Sequence, residues 1–173
     1  KSISLSIMAT LYAFFASSAV ADLPQSPYEA LDRLHNSIHL LHGDIKIELP
    51  EQLLAATFLP PDAKVLEIGA DVGRNSCLIA SILNDSRNMV SVEPRKEAYK
   101  CLKANRNHNG FRFHIEPAAI SEVPLVQKGW RTMPSQTIPA GYKRIRTISL
   151  ENLRKKYNID FDTLVVDCEG ALY

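Results

Sequence analysis

The fold is decided by the stretch Val65-Leu-Glu-Ile-Gly-Ala-Asp-Val-Gly-Arg-Asn75. Its apolar first half predicts a strand, Gly69 and Gly73 mark a turn, and a helical pattern begins directly afterwards. The next apolar segment, Val90-Ser-Val-Glu-Pro94, ends in an acidic residue. Open α/β sheets hold adenosine-bearing cofactors with such parts, because glycines let the backbone approach the ligand and a carboxylate accepts hydrogen bonds from ribose.

Strand and helix patterns alternate along the chain on both sides of this stretch. Apolar residues recur at helical spacing over residues 28–42, and Ile45, Ile47 and Leu49 then alternate with charged residues as in a short strand. The further predicted strands are 64–69, 89–93, 111–116 and 163–168, and the further predicted helices are 50–58, 74–83, 95–107 and 149–157. Residues 121–146 contain Pro124, Pro134 and Pro139 and are predicted to be irregular. The alternation favours an α/β protein with a parallel, doubly wound sheet.

The first residues have the pattern of a targeting segment. Residues 3–20 contain no charged side chain, Lys1 precedes them, and Ala19-Val20-Ala21 has the small–x–small order of a cleavage site. We therefore expect residues 1–21 to be a signal peptide that directs the protein to the secretory pathway. The alternatives are a membrane anchor through residues 3–20, for which the run is about long enough, and a plain N-terminal helix.

The remaining composition excludes several classes of protein. A chain of 173 residues is long enough for one domain with a sizeable core. Its formal net charge of +1 gives no electrostatic reason to expect nucleic-acid binding. Three cysteines without a C-x-x-C spacing predict buried thiols rather than a disulfide framework or a zinc site. His35, His39 and His42 fall near one helical face, but no acid or cysteine completes a ligand set, so we expect a partly exposed amphipathic face and no metal site.

The spacing of the glycines indicates which cofactor fits the first turn. The dinucleotide fingerprint is G-x-G-x-x-G, and Asp71 stands where its second glycine would fall. The pattern Glu67-x-Gly69-x-x-x-Gly73 instead resembles motif I of the class I S-adenosylmethionine (SAM) methyltransferases. A dinucleotide oxidoreductase is therefore the disfavoured alternative.

Later segments narrow this resemblance to the FkbM family of SAM-dependent methyltransferases. Glu93-Pro94 is followed by Tyr99, Leu102 and Asn105 as in that family. Thr147-Ile-Ser-Leu-Glu-Asn-Leu153 and Phe161-Asp-Thr-Leu-Val-Val-Asp-Cys-Glu-Gly-Ala171 are also similar to it. The resemblance covers residues 64–171 and implies a Rossmann-like class I methyltransferase fold that methylates a hydroxyl of a sugar, glycan or other small molecule.

The resemblance also implies a set of cofactor-binding positions. These are Glu67, Gly69, Asp71, Gly73, Asn75, Glu93 and Ala119. We expect Glu93 to accept hydrogen bonds from the ribose hydroxyls and backbone N–H groups after the turn to meet the methionyl carboxylate of SAM. Glu67 would meet the ammonium group or orient the turn. The family usually has Asn where this chain has Asp71, whose negative charge suits a sulfonium but opposes the carboxylate.

The last predicted strand supplies the candidate catalytic residues. It lies beside the first strand in a doubly wound sheet, so Asp167 and Glu169 at its end face the cofactor crevice. A hydroxyl acceptor must lose a proton, and Asp167 is the first candidate base and Glu169 the second. The alternative is that both only bind loop amides or a substrate hydroxyl. Asn105 is expected to be a structural helix cap, and the basic residues around Trp130 to meet either solvent or an anionic or glycan acceptor.

The domain expectation follows from these parts. Residues 22–63 form an N-terminal extension of helix and strand, and residues 64–173 form the methyltransferase domain. Related sheets have about seven strands, whereas four are predicted between residues 64 and 168, so we expect a domain truncated at its C-terminus. The alternative function is therefore a truncated, inactive methyltransferase-like module that binds a ligand or partner.

Overall fold

The computed structural model describes residues 26–168, which form a mixed α/β structure. The helices are α1 Pro27–Ser37, α2 Leu49–Phe58, α3 Arg74–Ile82, α4 Lys96–His108 and α5 Leu150–Tyr157. The strands are β1 Val65–Ile68, β2 Met89–Val92, β3 His114–Glu116, β4 Ala119–Ile120, β5 Leu125–Lys128, β6 Arg131–Pro134, β7 Lys143–Arg144, β8 Thr147–Ile148 and β9 Thr163–Val166. The predicted α/β class and the four predicted strands that start at Val65, Met89, His114 and Thr163 are thereby confirmed within a few residues.

The main sheet has four strands in the order β3-β2-β1-β9. Each neighbouring pair is parallel, with Ile68 of β1 in register with Val92 of β2 and Val166 of β9. Because parallel strands end at the same edge of a sheet, the residues that follow β1, β2 and β9 meet there. The turn after Ile68, Glu93 and Asp167 are therefore neighbours, as the sequence predicts.

Both faces of the two central strands, β1 and β2, are covered. On one face Val65 and Met89 pack against buried residues of α3 and α4, including Leu102. On the other face Leu66 and Val90 pack against Leu153 of α5. Burial on both faces explains why β1 and β2 are apolar at every position except Glu67 and Ser91.

The prediction for residues 28–49 is wrong in two places. Helix α1 starts with Ser26 as its N-cap, whose side chain accepts a hydrogen bond from Glu29 N, but it ends at Ser37 instead of His42. Residues 45–48 form a turn, and no strand is present there. The side-chain amide of Gln52 donates to the carbonyl oxygens of Ile45 and Ile47, at 2.9 and 3.1 Å, so this backbone is paired locally without a neighbouring strand.

Residues 121–146 are also more ordered than the sequence predicts. Strands β5, β6 and β7 form an antiparallel sheet in the order β6-β5-β7, and β4 pairs with β8 in a separate parallel pair. The prolines that suggested an irregular segment lie where strands tolerate them: Pro124 precedes β5, Pro134 ends the edge strand β6, and Pro139 lies in the connection to β7.

The cysteine prediction holds only in part. All three thiols are free, but Cys77 alone is buried, whereas Cys101 and Cys168 are half-buried. The predicted targeting segment 1–21 and the candidate base Glu169 lie outside the described residues. Among residues 26–168, none of the helices combines the length and apolar character that crossing a bilayer requires.

Candidate functional site

A cavity of about 370 Å³ opens at the carboxyl edge of the parallel sheet. This volume lies within the range of small-molecule sites in proteins. Five predicted site residues line the cavity: Gly69, Asp71, Glu93, Ala119 and Asp167. The structure thus brings together residues from four separate segments of the chain.

Glu93 is the most buried carboxylate of the cavity wall. Only 4% of the residue is exposed. Its Oε2 accepts a hydrogen bond from Asp71 N at 2.9 Å, and its Oε1 accepts one from Arg95 N at 2.8 Å. Burial raises the pKa of Glu93, while the hydrogen bond from Arg95 N and the charge of Arg95 oppose this shift. Each carboxylate oxygen has a second lone pair, so Glu93 can also accept from a ligand hydroxyl.

The turn after β1 requires glycine for steric reasons. Gly69 has φ of 92°, and a Cβ at this position would lie 1.8 Å from the carbonyl oxygen of Asp167. Gly73 has φ of 93° and precedes α3, and its Cβ would lie 2.5 Å from Cδ1 of Leu102. Gly69 therefore lets β1 and β9 approach each other at the cavity, whereas Gly73 lies outside the cavity wall and allows α3 to pack on α4.

The backbone donors of this turn already have partners. The amides of Gly69 and Ala70 both donate to Val92 O at 3.1 Å, and Gly73 N donates to Ala70 O at 2.8 Å. Together with the bond from Asp71 to Glu93, these contacts fix the turn against β2. The predicted carboxylate-binding donors are a different group, the amides at the start of α3, which begins at Arg74.

Glu67 and Asn75 lie behind the turn, not on the cavity wall. Glu67 is only 2% exposed, and its Oε2 accepts a hydrogen bond from Ser76 Oγ at 2.5 Å. Burial raises the pKa of Glu67 to about 7, against the opposing effect of this bond. Among the described residues, Asn75 Oδ1 is buried without a hydrogen-bond partner. The position of Glu67 favours the predicted role of orienting the turn over direct contact with a ligand.

Two arginines neutralise the charge of Asp71. Asp71 Oδ2 accepts from Arg74 at 2.7 Å, and Asp71 Oδ1 forms an ion pair with Arg95. Arg74 also pairs with Glu48 at 3.2 Å. Both arginines line the cavity and were missed in the sequence, although each directly follows a recognised motif, Gly73 in one case and Glu93-Pro94 in the other.

The antiparallel sheet contributes the opposite wall of the cavity. Gln127, Trp130 and Thr132 line it, and Trp130 lies in the turn between β5 and β6. The guanidinium of Arg95 lies 3.7 Å from the centre of the Trp130 ring, in a cation–π contact. Arg95 therefore connects the end of β2 to the antiparallel sheet, which lies in the segment 121–146 that the sequence predicts to be irregular.

Asn105 stabilises the turn after β1 through side-chain hydrogen bonds. It is fully buried inside α4, not at its end, so the predicted helix cap is wrong in position although the structural role is correct. Its Oδ1 accepts from Leu41 N and His42 N, at 2.7 and 3.0 Å. Its Nδ2 donates to the carbonyl oxygens of His42 and Val72, both at 2.8 Å. One side chain thus joins α4, the segment after α1 and the turn after β1.

The predicted histidine face does not form. Because α1 ends at Ser37, His39 and His42 lie beyond it. His35 is buried, and its Nε2 lies 2.6 Å from Oε1 of Gln52. Within residues 26–168, no group of three or more His, Cys, Asp or Glu residues is arranged to hold a metal ion.

The fold and cavity define an α/β protein with a four-stranded parallel sheet and a polar site at its carboxyl edge. Comparisons with known proteins do not narrow this class further. No family model matches the chain, and neither the curated proteins nor the solved structures give a match.

Proposed function

We propose that this chain is a SAM-dependent methyltransferase of the FkbM type, with a Rossmann-like class I fold, that methylates a hydroxyl of a sugar or another small molecule. The observation that carries the proposal is the meeting of Gly69, Asp71, Glu93 and Asp167 on one cavity at the ends of β1, β2 and β9. Ligands of open α/β sheets bind in this crevice.

The residues present fit the chemistry of SAM. The cavity wall contains more acidic than basic side chains: Glu48, Asp71, Glu93 and Asp167 against Arg74 and Arg95. This excess of negative charge suits a cationic sulfonium. Glu93 would accept hydrogen bonds from the ribose hydroxyls, and Ala119 would lie against adenine. The backbone N–H groups at the start of α3 would meet the methionyl carboxylate, and Arg74 lies on the cavity wall at this helix start.

The proposed reaction needs a base and a fixed geometry. Bound SAM would supply a methyl group activated by its positive sulfur. Asp167 would accept the proton of the acceptor hydroxyl as the oxygen forms its bond to the methyl carbon. The carbon–sulfur bond breaks in the same step, and its electron pair stays on sulfur. The cavity contributes by holding both reactants in line, and Glu169 is still the second candidate base.

The test is transfer of a labelled methyl group from SAM to a panel of sugars by the full chain. We expect Asp167→Asn to lower the rate by about 10²-fold or more. The control Asp160→Asn removes the same charge from an aspartate whose side chain is 83% exposed and should keep the activity. Binding of SAM without transfer to any acceptor would favour the inactive binding module. Equal activity of the two variants would show that Asp167 is not the base.

A further inference from the structure

The two segments that form the walls of the cavity differ in charge. The wall formed by the ends of the parallel strands has an excess of carboxylates. Residues 123–150 contain no acidic residue and five basic ones: Lys128, Arg131, Lys143, Arg144 and Arg146. The whole chain has a net charge of only +1, so this segment, which contributes the uncharged Gln127, Trp130 and Thr132 to the cavity wall, is unusually basic. A region of one sign attracts ligands of the opposite sign.

Two of these basic residues have structural tasks. Arg144 donates to the carbonyl oxygens of Ser135 and Gln136, at 2.5 and 2.7 Å. Arg146 lies 3.4 Å from the fully buried carboxylate of Glu116. These contacts stabilise the antiparallel sheet and its neighbouring strand. The candidates for binding a ligand are therefore the other three basic residues, Lys128, Arg131 and Lys143.

The register of the antiparallel sheet selects Lys143 among the others. Gln127 of β5 pairs with Thr132 of β6 on one side and with Lys143 of β7 on the other. Directly opposed residues share a face of an antiparallel sheet. Gln127 and Thr132 line the cavity and are joined by a hydrogen bond of 3.1 Å, and Lys143, directly beside Gln127, lies on the same face of this sheet. Among the described residues, no hydrogen bond or ion pair engages its ammonium group.

Lys128 is the matched residue on the opposite face. It pairs with Arg131 and is offset by one position from Gln127, and successive side chains of a strand point to opposite faces. Its side chain extends past Gly141. Lys128 and Lys143 therefore carry the same charge on the same small sheet and differ in the face they occupy.

We propose that Gln127, Trp130, Thr132 and Lys143 form an acceptor subsite for a hydroxylated compound that carries an anionic group, a carboxylate or a phosphate. This inference rests on the proposed function for the position of the reacting hydroxyl. Lys143 binds the anion, Gln127 and Thr132 bind neighbouring hydroxyls, and Trp130 supplies an apolar surface. The acidic wall then holds the cationic cofactor, and Lys143 beside the second wall holds its anionic partner.

Trp130 is the only tryptophan of the chain, so its fluorescence reports on this wall directly. The probes are glucose 6-phosphate and glucuronate, with glucose as the neutral reference. Each is titrated into the full chain with and without S-adenosylhomocysteine. We expect at least one anionic probe to bind about tenfold more tightly than glucose, with the stronger one showing whether the anion is a phosphate or a carboxylate. Added salt should weaken that binding.

The lysine variants decide between this subsite and general attraction. We expect Lys143→Ala to weaken binding of the stronger anionic probe about threefold to fivefold and Lys128→Ala to leave it nearly unchanged. Equal effects of the two variants, or no preference for either anionic probe over glucose, would overturn the subsite. Binding of an anionic probe by a chain that does not bind S-adenosylhomocysteine would remove the proposed function and keep the subsite.

Discussion

The two walls of the cavity differ in how far they can be predicted from the sequence. The turn from Gly69 to Gly73 and the strand end at Glu93 are visible in the local sequence, because glycines and an acidic residue directly follow apolar runs there. Their contact partners Asp167, Leu102 and Asp71 nevertheless lie far along the chain. The antiparallel sheet depends on pairing between strands β5, β6 and β7. The residue pattern of this segment does not predict that pairing. The first wall should therefore respond to substitution mainly through backbone strain and buried charge, and the second through weak surface contacts.

Backbone strain should produce the largest difference between the walls. We expect Gly69→Ala to lower the free energy of unfolding by about 4 kcal/mol or more, since its Cβ would overlap the Asp167 backbone. Gly129→Ala, in the turn before Trp130, is the control, because φ is also positive but no atom lies within 4 Å of the added Cβ. It should cost about 1 kcal/mol. Urea unfolding followed by circular dichroism measures both, and equal losses would contradict the steric account.

The second-largest effect is expected from the buried carboxyl group of Glu67, as a dependence of the free energy of unfolding on pH. Because the pKa of Glu67 rises from an ordinary 4.5 to about 7 on folding, the folded state takes up a proton between these values. Stability from this residue is therefore greatest below pH 4.5 and falls as pH rises towards 7. Glu67→Gln should remove this slope and be more stable than the wild type by about 3 kcal/mol at pH 8. The check is urea unfolding at pH 5 and pH 8, and a constant difference between the proteins would be the contrary result.

Ligand binding should show a smaller effect at the same wall. Glu93→Gln replaces one acceptor oxygen with an amide group that cannot accept from Asp71 N or Arg95 N. We expect SAM binding to weaken about tenfold. Glu97→Gln makes the same change at an exposed position in the first turn of α4 and should bind SAM as the wild type does. Calorimetric titration compares the two variants. An unchanged SAM affinity in Glu93→Gln would show that Glu93 does not bind the ribose.

The smallest effect is expected at the second wall. Trp130→Leu removes the cation–π contact with Arg95 but little buried surface, since Trp130 is 60% exposed. The loss of stability should be about 0.5–1 kcal/mol. Phe58→Leu, at a residue that is 73% exposed, is the matched control and should cost less. Urea unfolding by circular dichroism suits both, and a loss in Trp130→Leu no larger than the control's would mean that the contact is not stabilising.

The sequence predicts the parallel sheet well for a physical reason. Because β1 and β2 are buried on both faces, most of their residues are apolar, and the turn between β1 and α3 needs glycine at positions that are visible in the sequence. The short alternating run at Ile45, Ile47 and Leu49 was misread because alternation describes half-burial, and the side chain of Gln52 pairs that backbone in a turn.

The candidate site was predicted less completely than the sheet. Gly69, Asp71, Glu93, Ala119 and Asp167 were found because they sit at strand ends. The ion pair of Asp71 with Arg95 and the contact of Arg95 with Trp130 depend on side chains that are 24 and 35 positions apart, which periodicity does not encode. Glu67, Gly73 and Asn75 belong to the recognised motif but do not line the cavity: Glu67 and Gly73 support the turn and the packing of α3, and Asn75 is buried in α3.

The central claim is that this cavity binds SAM, and calorimetric titration of SAM into the full chain tests it most directly, with NAD as the control ligand. The account predicts saturable binding of one SAM per chain and no binding of NAD. Binding of NAD in place of SAM, or no binding of SAM by a sample whose circular dichroism shows the folded α/β structure, would contradict it.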